Sequence, residues 1–258
     1  MQLVKWSEFF SDPGPDLPYL DETQRYFFPN PSRCGDIIFI GGNLSPGMLL
    51  SAYEQGIFPW YDPEGPIIWQ SPDPRFVIYP ETLHISESMR KILKKHLFTI
   101  RFDTDFEGVI RNCASVPRPG QYGTWIGEDI IEAYTKLHHL GWAHSAEAYL
   151  DGHLVGGCYG IRIGKVFCGE SMFALYPNAS KAAFLTLATN LFNDEVQFID
   201  CQVPTAHLRS LGGQMLSRPD FLMLLDNALF LRTVMDRKQE QDQADRRGSW
   251  TNRYTEIF

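Results

Sequence analysis

Two carboxylates, Glu170 and Asp200, stand inside stretches that otherwise read as buried strands. The first stretch is Phe167-Cys168-Gly169-Glu170-Ser171-Met172-Phe173 and the second is Ile199-Asp200-Cys201-Gln202. A charge in such a strand costs roughly several kcal/mol of desolvation unless it is paired or used. Side chains alternate along a strand, so Asp200 and Gln202 are expected on one face and Cys201 on the other. By the same rule Cys168, Glu170 and Met172 should share a face. If the two strands are neighbours, two carboxylates and an amide converge on one cleft. That set suits positioning and proton removal.

Other residue types narrow the chemistry. His138 and His139 are adjacent, hence on different helix faces, and the remaining histidines lack ligand spacing, so no metal is expected. His144-Ser145 belongs to no Gly-x-Ser-x-Gly elbow, which argues against a serine hydrolase. The five cysteines at 34, 113, 158, 168 and 201 are scattered and without CxxC spacing, which fits reduced thiols and a cytoplasmic location. The N-terminus lacks the order of a secretory signal, and no apolar run reaches membrane-spanning length. A net charge of −8 argues against non-specific nucleic-acid binding, DNA included, although a local basic patch remains open. The densest basic run is Arg90-Lys91 and Lys94-Lys95. It is either the solvated face of a helix that packs through Met89, Ile92 and Leu93, or a contact for a phosphate backbone. Trp60 and Trp125 lie in Pro- and Gly-flanked loops, either as packing anchors or as stacking surfaces for a base.

The elements that must position these residues follow from local signals. Ser45 as N-cap, Pro46 at the first position and Gly56 past the end mark a helix, and residues 57–74 read as an aromatic, Pro-rich connection. Residues 1–40 are expected to be mostly loops, for instance around Asp12–Pro15 and Pro29–Pro31. After a boundary near Asp73, strands are expected at Phe76–Tyr79 and Phe98–Phe102, and helices at Ser86–Lys95, Asp105–Cys113 and Glu128–Leu140. A meander of Ala146–Leu150, Leu154–Ile161 and Lys165–Met172 turns at Asp151-Gly152, a strong hairpin signal. A helix over Ser180–Phe192, capped by Asn178 or Ser180, leads to a strand over Phe198–Gln202. A short helix over Thr205–Leu211 and a last helix over Pro219–Phe230 end the pattern, and the polar stretch from Asp236 to Gly248 is expected to be a mobile tail. The order predicts an α+β fold on a mostly antiparallel sheet. Three units are expected: a small N-terminal domain over 1–73, a catalytic domain over 74–235 and a polar tail over 236–258.

A set of motifs then falls in one order: Gly41-Gly42-Asn43-Leu44-Ser45-Pro46, Gly56-Ile57-Phe58-Pro59-Trp60, Ser71-Pro72-Asp73-Pro74-Arg75, Gly123-Thr124-Trp125-Ile126, Ala143-His144-Ser145-Ala146-Glu147, Leu154-Val155-Gly156-Gly157, Gly169-Glu170-Ser171-Met172-Phe173, Ala179-Ser180-Lys181 and Ile199-Asp200-Cys201-Gln202. From Gly41 to Phe221 the chain resembles the leucyl/phenylalanyl-tRNA–protein transferases. The resemblance implies a C-terminal domain of the GNAT acyltransferase type and no cofactor. It implies transfer of Leu or Phe from aminoacyl-tRNA to proteins beginning with Arg or Lys, which marks them for N-end rule degradation.

The same resemblance assigns roles. Asp200 orients and polarises Gln202, which meets the attacking amine. Glu170 holds either the α-amine of the transferred residue or the cationic acceptor; the plain alternative is a partner for a nearby Lys or Arg. The resemblance places Cys158, Phe167, Leu187 and Ile199 in the side-chain pocket. With a tRNA substrate, the functional reading of Trp60 and Trp125 is a platform for the terminal adenine with Tyr53 as support. That of Arg90, Lys91, Lys94 and Lys95 is a tRNA-backbone contact, a solvated helix face being the alternative. Four positions depart from the pattern: Asn43 replaces Asp, Gln70 replaces a Trp, and Cys158 and Leu187 replace bulkier residues. The first two bear on support of the nucleotide platform and the last two on side-chain preference. A CoA-dependent acetyltransferase on the same fold would want a glycine-rich turn after Met172, and Phe173–Ser180 has no glycine.

Overall fold

The computed structural model describes residues 16–117, 124–236, 250–255 and 258. The expected loop at Asp12–Pro15, Gly123 and most of the expected tail lie outside these residues.

Two sheets organise the chain. The smaller has the order β1-β3-β2, from β1 (Ile37–Ile40), β2 (Phe58–Pro59) and β3 (Ile68–Gln70), with α1 (Pro46–Glu54) between its first two strands. Residues 57–74 are therefore not a plain connection. Strands of two and three residues, buried throughout, are too short to display an alternating pattern.

The larger sheet holds β4 (Arg75–Ile78), β5 (Thr99–Phe102), β6 (Ala143–Leu150), β7 (His153–Ile163), β8 (Val166–Ala174), β9 (Phe198–Asp200) and β10 (Gln214–Leu216) in the order β10-β4-β9-β8-β7-β6-β5. Every pair is antiparallel except β8 with β9, which the helix α5 (Ala179–Asn193) joins by a crossover. This is the expected α+β order on a mostly antiparallel sheet: an antiparallel meander, a helix, then one parallel strand. The β6–β7 turn has Asp151 at φ 51° and Gly152 at φ 82°, the paired positive angles that a type I′ hairpin requires.

Helices cover both faces. The first core packs α1, α3 (Phe106–Ser115), α4 (Glu128–His139) and the small sheet against one face, through residues such as Tyr53, Trp69, Val109, Tyr134 and Ile161. The second packs α2 (Glu87–Lys94) and α5 against the other, through Leu93, Phe167, Leu187 and Ile199. Gly156 lets α5 close on β7, because a Cβ there would stand 2.6 Å from that of Ala179. The last two helices are α6 (Ala206–Ser210) and α7 (Arg218–Asp236).

Two helices are capped by side chains that the sequence reading did not single out. Ser86 Oγ accepts from Met89 N, and Asp105 Oδ1 accepts from Gly108 N at 3.0 Å. Ser45 and Asn178 occupy cap positions without capping through their side chains. Ser45 Oγ instead accepts from Leu20 N at 3.1 Å, and Asn178 takes a left-handed turn at φ 69°. The C-terminal stretch also departs from a polar tail: Trp250 and Tyr254 are buried in the second core, and Trp250 stacks on His144 at 3.7 Å. Burial of two large aromatic rings outweighs the polar sequence around them.

Candidate active site

The β8–β9 ladder runs Val166–Phe198, Phe167–Ile199, Cys168–Asp200 and stops there. Beyond it the chain stays on β4: Cys201 N donates to Phe76 O at 2.8 Å, and Phe76 N donates to Gln202 O at 3.1 Å. β8 and β9 therefore part company after Asp200, and the gap between them is the cleft. At its edge a Cβ on Gly169 would stand in ordinary van der Waals contact with Asp200 O and Ile199 Cγ2, both at 3.8 Å, so the position tolerates a side chain without a clash.

Glu170 enters the cleft from a bulge. Pairing with β7 jumps from Gly160–Gly169 to Tyr159–Ser171, so Glu170 is the extra residue. The bulge also resets the alternation. Cys168 packs in the first core, whereas Met172 packs against the second. The expectation that Cys168, Glu170 and Met172 share a face is corrected at Met172, because strict period-two reading fails at an inserted residue.

Asp200 is not at the mouth of the cleft. It is 1% exposed, and Arg75 grips it with Nε to Oδ1 at 2.9 Å and Nη2 to Oδ2 at 2.7 Å. Arg75 Nη1 donates to Gly56 O at 3.0 Å, and its guanidinium is stacked between Phe58 and Phe221 at 4.9 and 4.4 Å. This bidentate, ring-clamped geometry is the strong form of the pair. It seals the Asp200 oxygens away from solvent, so the carboxylate expected to serve the cleft directly lies beneath it.

What Asp200 does reach is the backbone of Gln202, whose N–H donates to Asp200 Oδ1 at 2.9 Å. Gln202 has φ 55°, and Val203 N donates back to Cys201 O at 2.6 Å. The two together make a γ-turn of the rare, strained kind. A non-glycine residue in this conformation costs on the order of 1–3 kcal/mol and persists only where its surroundings hold it. The Arg75–Asp200 pair is that hold. It aims the Gln202 side chain across the gap, where Nε2 lies 3.4 Å from Glu170 Oε1.

On its other side Glu170 meets two phenols that converge from separate helices. Tyr134 of α4 donates to Glu170 Oε2 at 3.4 Å and is hydrogen-bonded in turn to Tyr53 of α1. Burial, together with the Asp200 charge and against the phenol bonds, pushes the Glu170 carboxyl up to about 8. Burial, then Glu170, likewise pushes Tyr53 and Tyr134 well above the ordinary phenol value. Cys168, Cys158 and Cys201 are buried and held in the unreactive thiol form, pushed up by loss of solvent. The arrangement can bind a cationic amine, hydrogen-bond it through a fixed amide and take a proton from it. Arg75 and Tyr134 entered no candidate set, because an Arg opening a strand and a Tyr on an amphipathic helix read as ordinary structure.

The profile described as Leucyl/phenylalanyl-tRNA protein transferase matches residues 77–226, and that of its N-terminal domain matches residues 42–73. A leucyl/phenylalanyl-tRNA–protein transferase of Myxococcus xanthus is 46% identical over 90% of this chain and 95% of its own. One from Maridesulfovibrio salexigens is 51% identical over 78% and 85%. The chain belongs to the leucyl/phenylalanyl-tRNA–protein transferase family. It is an aminoacyltransferase, of the class that moves an aminoacyl group from tRNA to protein. Among solved structures, a GCN5-related N-acetyltransferase from Kribbella flavida aligns over 67% of this chain and 62% of that one, at 11% identity and a TM-score of 0.32.

Within this transferase the other expected site residues fall into three places. Cys158, Phe167, Leu187 and Ile199 gather in the second core, on the α5 face, all at 3% exposure or less. Trp60 is half-buried, whereas Trp125 is packed in the first core. The amide at the departing position Gln70 donates to Trp60 O at 2.6 Å. Asn43 donates to Leu17 O at 2.7 Å, a bond an Asp carboxylate could not make. The Tyr53 hydroxyl engages Tyr134 in the Glu170 network, a link the expectation of support for Trp60 and Trp125 did not include. Arg90, Lys91, Lys94 and Lys95 are all exposed on or just after α2, while Met89 and Leu93 are buried beneath them.

Proposed function

We propose that this transferase moves Leu or Phe from aminoacyl-tRNA to the α-amino group of proteins beginning with Arg or Lys, in the cytoplasm, and so marks them for N-end rule degradation. The observation that carries the reading is the strained Gln202, pinned through Asp200 and aimed at Glu170 where β8 and β9 separate. The ester of an aminoacyl-tRNA is already activated, so its chemistry asks chiefly for orientation and for removal of an amine proton. A half-buried carboxylate flanked by a fixed amide suits both, and its acidity favours an acceptor whose first residue is cationic.

Support for the tRNA side comes from chemistry and placement. The exposed cations of α2 offer the salt-dependent backbone contact, against a net charge of −8 for the chain. Trp60 and Trp125 are assigned to the terminal adenine, and stacking of this kind contributes about 1–3 kcal/mol per base. Cys158, Phe167, Leu187 and Ile199 are assigned to the transferred side chain. The cytoplasmic reading is supported by five free cysteines, and no helix among the described residues is long and apolar enough to cross a membrane.

The test is a transfer assay with labelled Leu-tRNA and Phe-tRNA, using peptides that start with Arg, Lys or Ala, with and without acetyl-CoA. Transfer to the Arg and Lys peptides, none to Ala and no competition from acetyl-CoA is the expected result. Acetyl transfer, or tRNA binding without aminoacyl transfer, would overturn the reading.

A further inference from the structure

Of the two carboxylates at this site, Asp200 lies beneath the cleft and Glu170 in it, and their hydrogen-bond partners differ. Asp200 Oδ1 already accepts from Arg75 Nε and Gln202 N, and Oδ2 accepts from Arg75 Nη2, with the group 1% exposed. Protonating it would break the bidentate pair and leave a guanidinium buried without its counter-charge. Glu170 is half-buried and has no cationic side chain bonded to it among the described residues. Its neighbours are hydrogen-bonding groups that tolerate either charge state: the Tyr134 hydroxyl on one oxygen and the Gln202 amide on the other.

We propose that Glu170, rather than Asp200, is the proton acceptor of the transfer reaction, with Tyr134 and Tyr53 as the hydroxyl pair that positions it. The proposal rests on the reading of this cleft as the aminoacyl-transfer site. The acceptor arrives as an ammonium and gives one proton to the Glu170 carboxylate. The freed lone pair attacks the ester carbon, forming the C–N bond and an oxyanion. On collapse the C=O re-forms, the ester C–O bond breaks, and Glu170 returns its proton to the departing ribose oxygen. The second proton of the new amide nitrogen then passes to Glu170 and on to solvent. Atoms and charge balance: an ammonium and an ester give an amide, a ribose hydroxyl and one proton.

The ionisable groups that face Glu170 come from every element around it: Tyr53 of α1, Tyr134 of α4, Cys168 of β8, Asp200 of β9 and Arg75 of β4. Burial raises Tyr53, Tyr134 and Cys168, and Asp200 and Arg75 are committed to each other. Burial raises the Glu170 carboxyl to about 8. That matches an α-amine, whose reference value is about 7.7–8, and a general base works best with its value near the operating pH.

The experiment uses the full-length protein, Leu-tRNA and an Arg-starting peptide. It measures single-turnover transfer from pH 6 to 9 and, separately, the dissociation constant for Leu-tRNA, for wild type, Glu170→Gln, Glu170→Ala and Tyr134→Phe. Loss of a proton acceptor of this kind lowers the rate by about 10²–10⁴-fold. Glu170→Gln is expected to fall in that range with Leu-tRNA affinity within about threefold, Glu170→Ala to regain rate when formate is added, and Tyr134→Phe to shift the rising limb of the pH profile. Near-normal transfer by Glu170→Gln, or a loss that tracks weakened Leu-tRNA affinity and ignores formate, overturns the proposal. Failure of the wild type to transfer at all would instead sink the functional reading beneath it.

Discussion

Arg75 and Asp200 meet in a two-bond contact of 2.9 and 2.7 Å, each 1% exposed, and this pair ties β4 to its neighbour β9 in the larger sheet. The third guanidinium bond, to Gly56 O, links β4 to the turn that follows α1. Removing one partner of such a buried pair typically costs about 3–5 kcal/mol, because the other charge is stranded. Arg75→Met is therefore expected to lower the unfolding free energy by about that amount, whereas Arg75→Met combined with Asp200→Leu should recover much of it. Denaturant titration of both variants checks this. Transfer should stay low in the double variant, since nothing then holds the Gln202 turn.

Gln202 separates stability from activity. Its φ of 55° is a conformation glycine adopts without strain. Gln202→Gly should therefore leave the unfolding midpoint unchanged or higher while transfer collapses with loss of the amide. A thermal melt run beside the transfer assay reads both; a marked drop in midpoint would show that the turn is not strained.

Much of this site could be read in the sequence, and the rest could not for identifiable reasons. Glu170, Asp200 and Gln202 were visible because charged and polar residues interrupt apolar strands, and burial makes that pattern costly. The bulge at Glu170 was not visible: nothing in Gly169-Glu170-Ser171 marks an inserted residue, so Met172 was assigned to the wrong face. The pairing of Asp200 with Arg75 spans 125 residues, and no local signal reports it. The meander, the Asp151-Gly152 hairpin and the long helices were legible from periodicity and turn chemistry. β1, within the stretch expected to be mostly loops, and β2, β3 and β10 were missed because strands of two to four residues carry too little period.

The exposed cations of α2 give a salt-dependent prediction. Lys91→Glu with Lys94→Glu should weaken tRNA binding and flatten its dependence on salt. Each lost phosphate contact reduces the log–log slope by about 0.7–0.9. Binding measured from low to physiological salt tests this, and an unchanged slope would return α2 to the status of a solvated helix face. Stability should hardly change, since both side chains are exposed.

A buried acid outside the cleft sets a pH effect on stability. Glu147 is fully buried, held by Ser145 and Thr104, and burial raises its carboxyl to about 7. A carboxyl raised on folding contributes stability that is fully present below the unfolded value of about 4.3 and is lost as pH rises through the folded value. Glu147→Gln should remove that loss, so the variant gains on the wild type between pH 5 and pH 8 by on the order of 2–3 kcal/mol. Melting curves across that range decide it; parallel curves would place the ionisation elsewhere.

The most direct test of the account is single-turnover transfer of labelled Leu from Leu-tRNA to an Arg-starting peptide by Gln202→Ala, with Leu-tRNA affinity measured on the same preparation. Transfer is expected to fall by about 10²-fold or more while affinity stays within about threefold. Near-normal transfer would contradict it, because the residue that Arg75 and Asp200 hold in place would then have no part in the reaction.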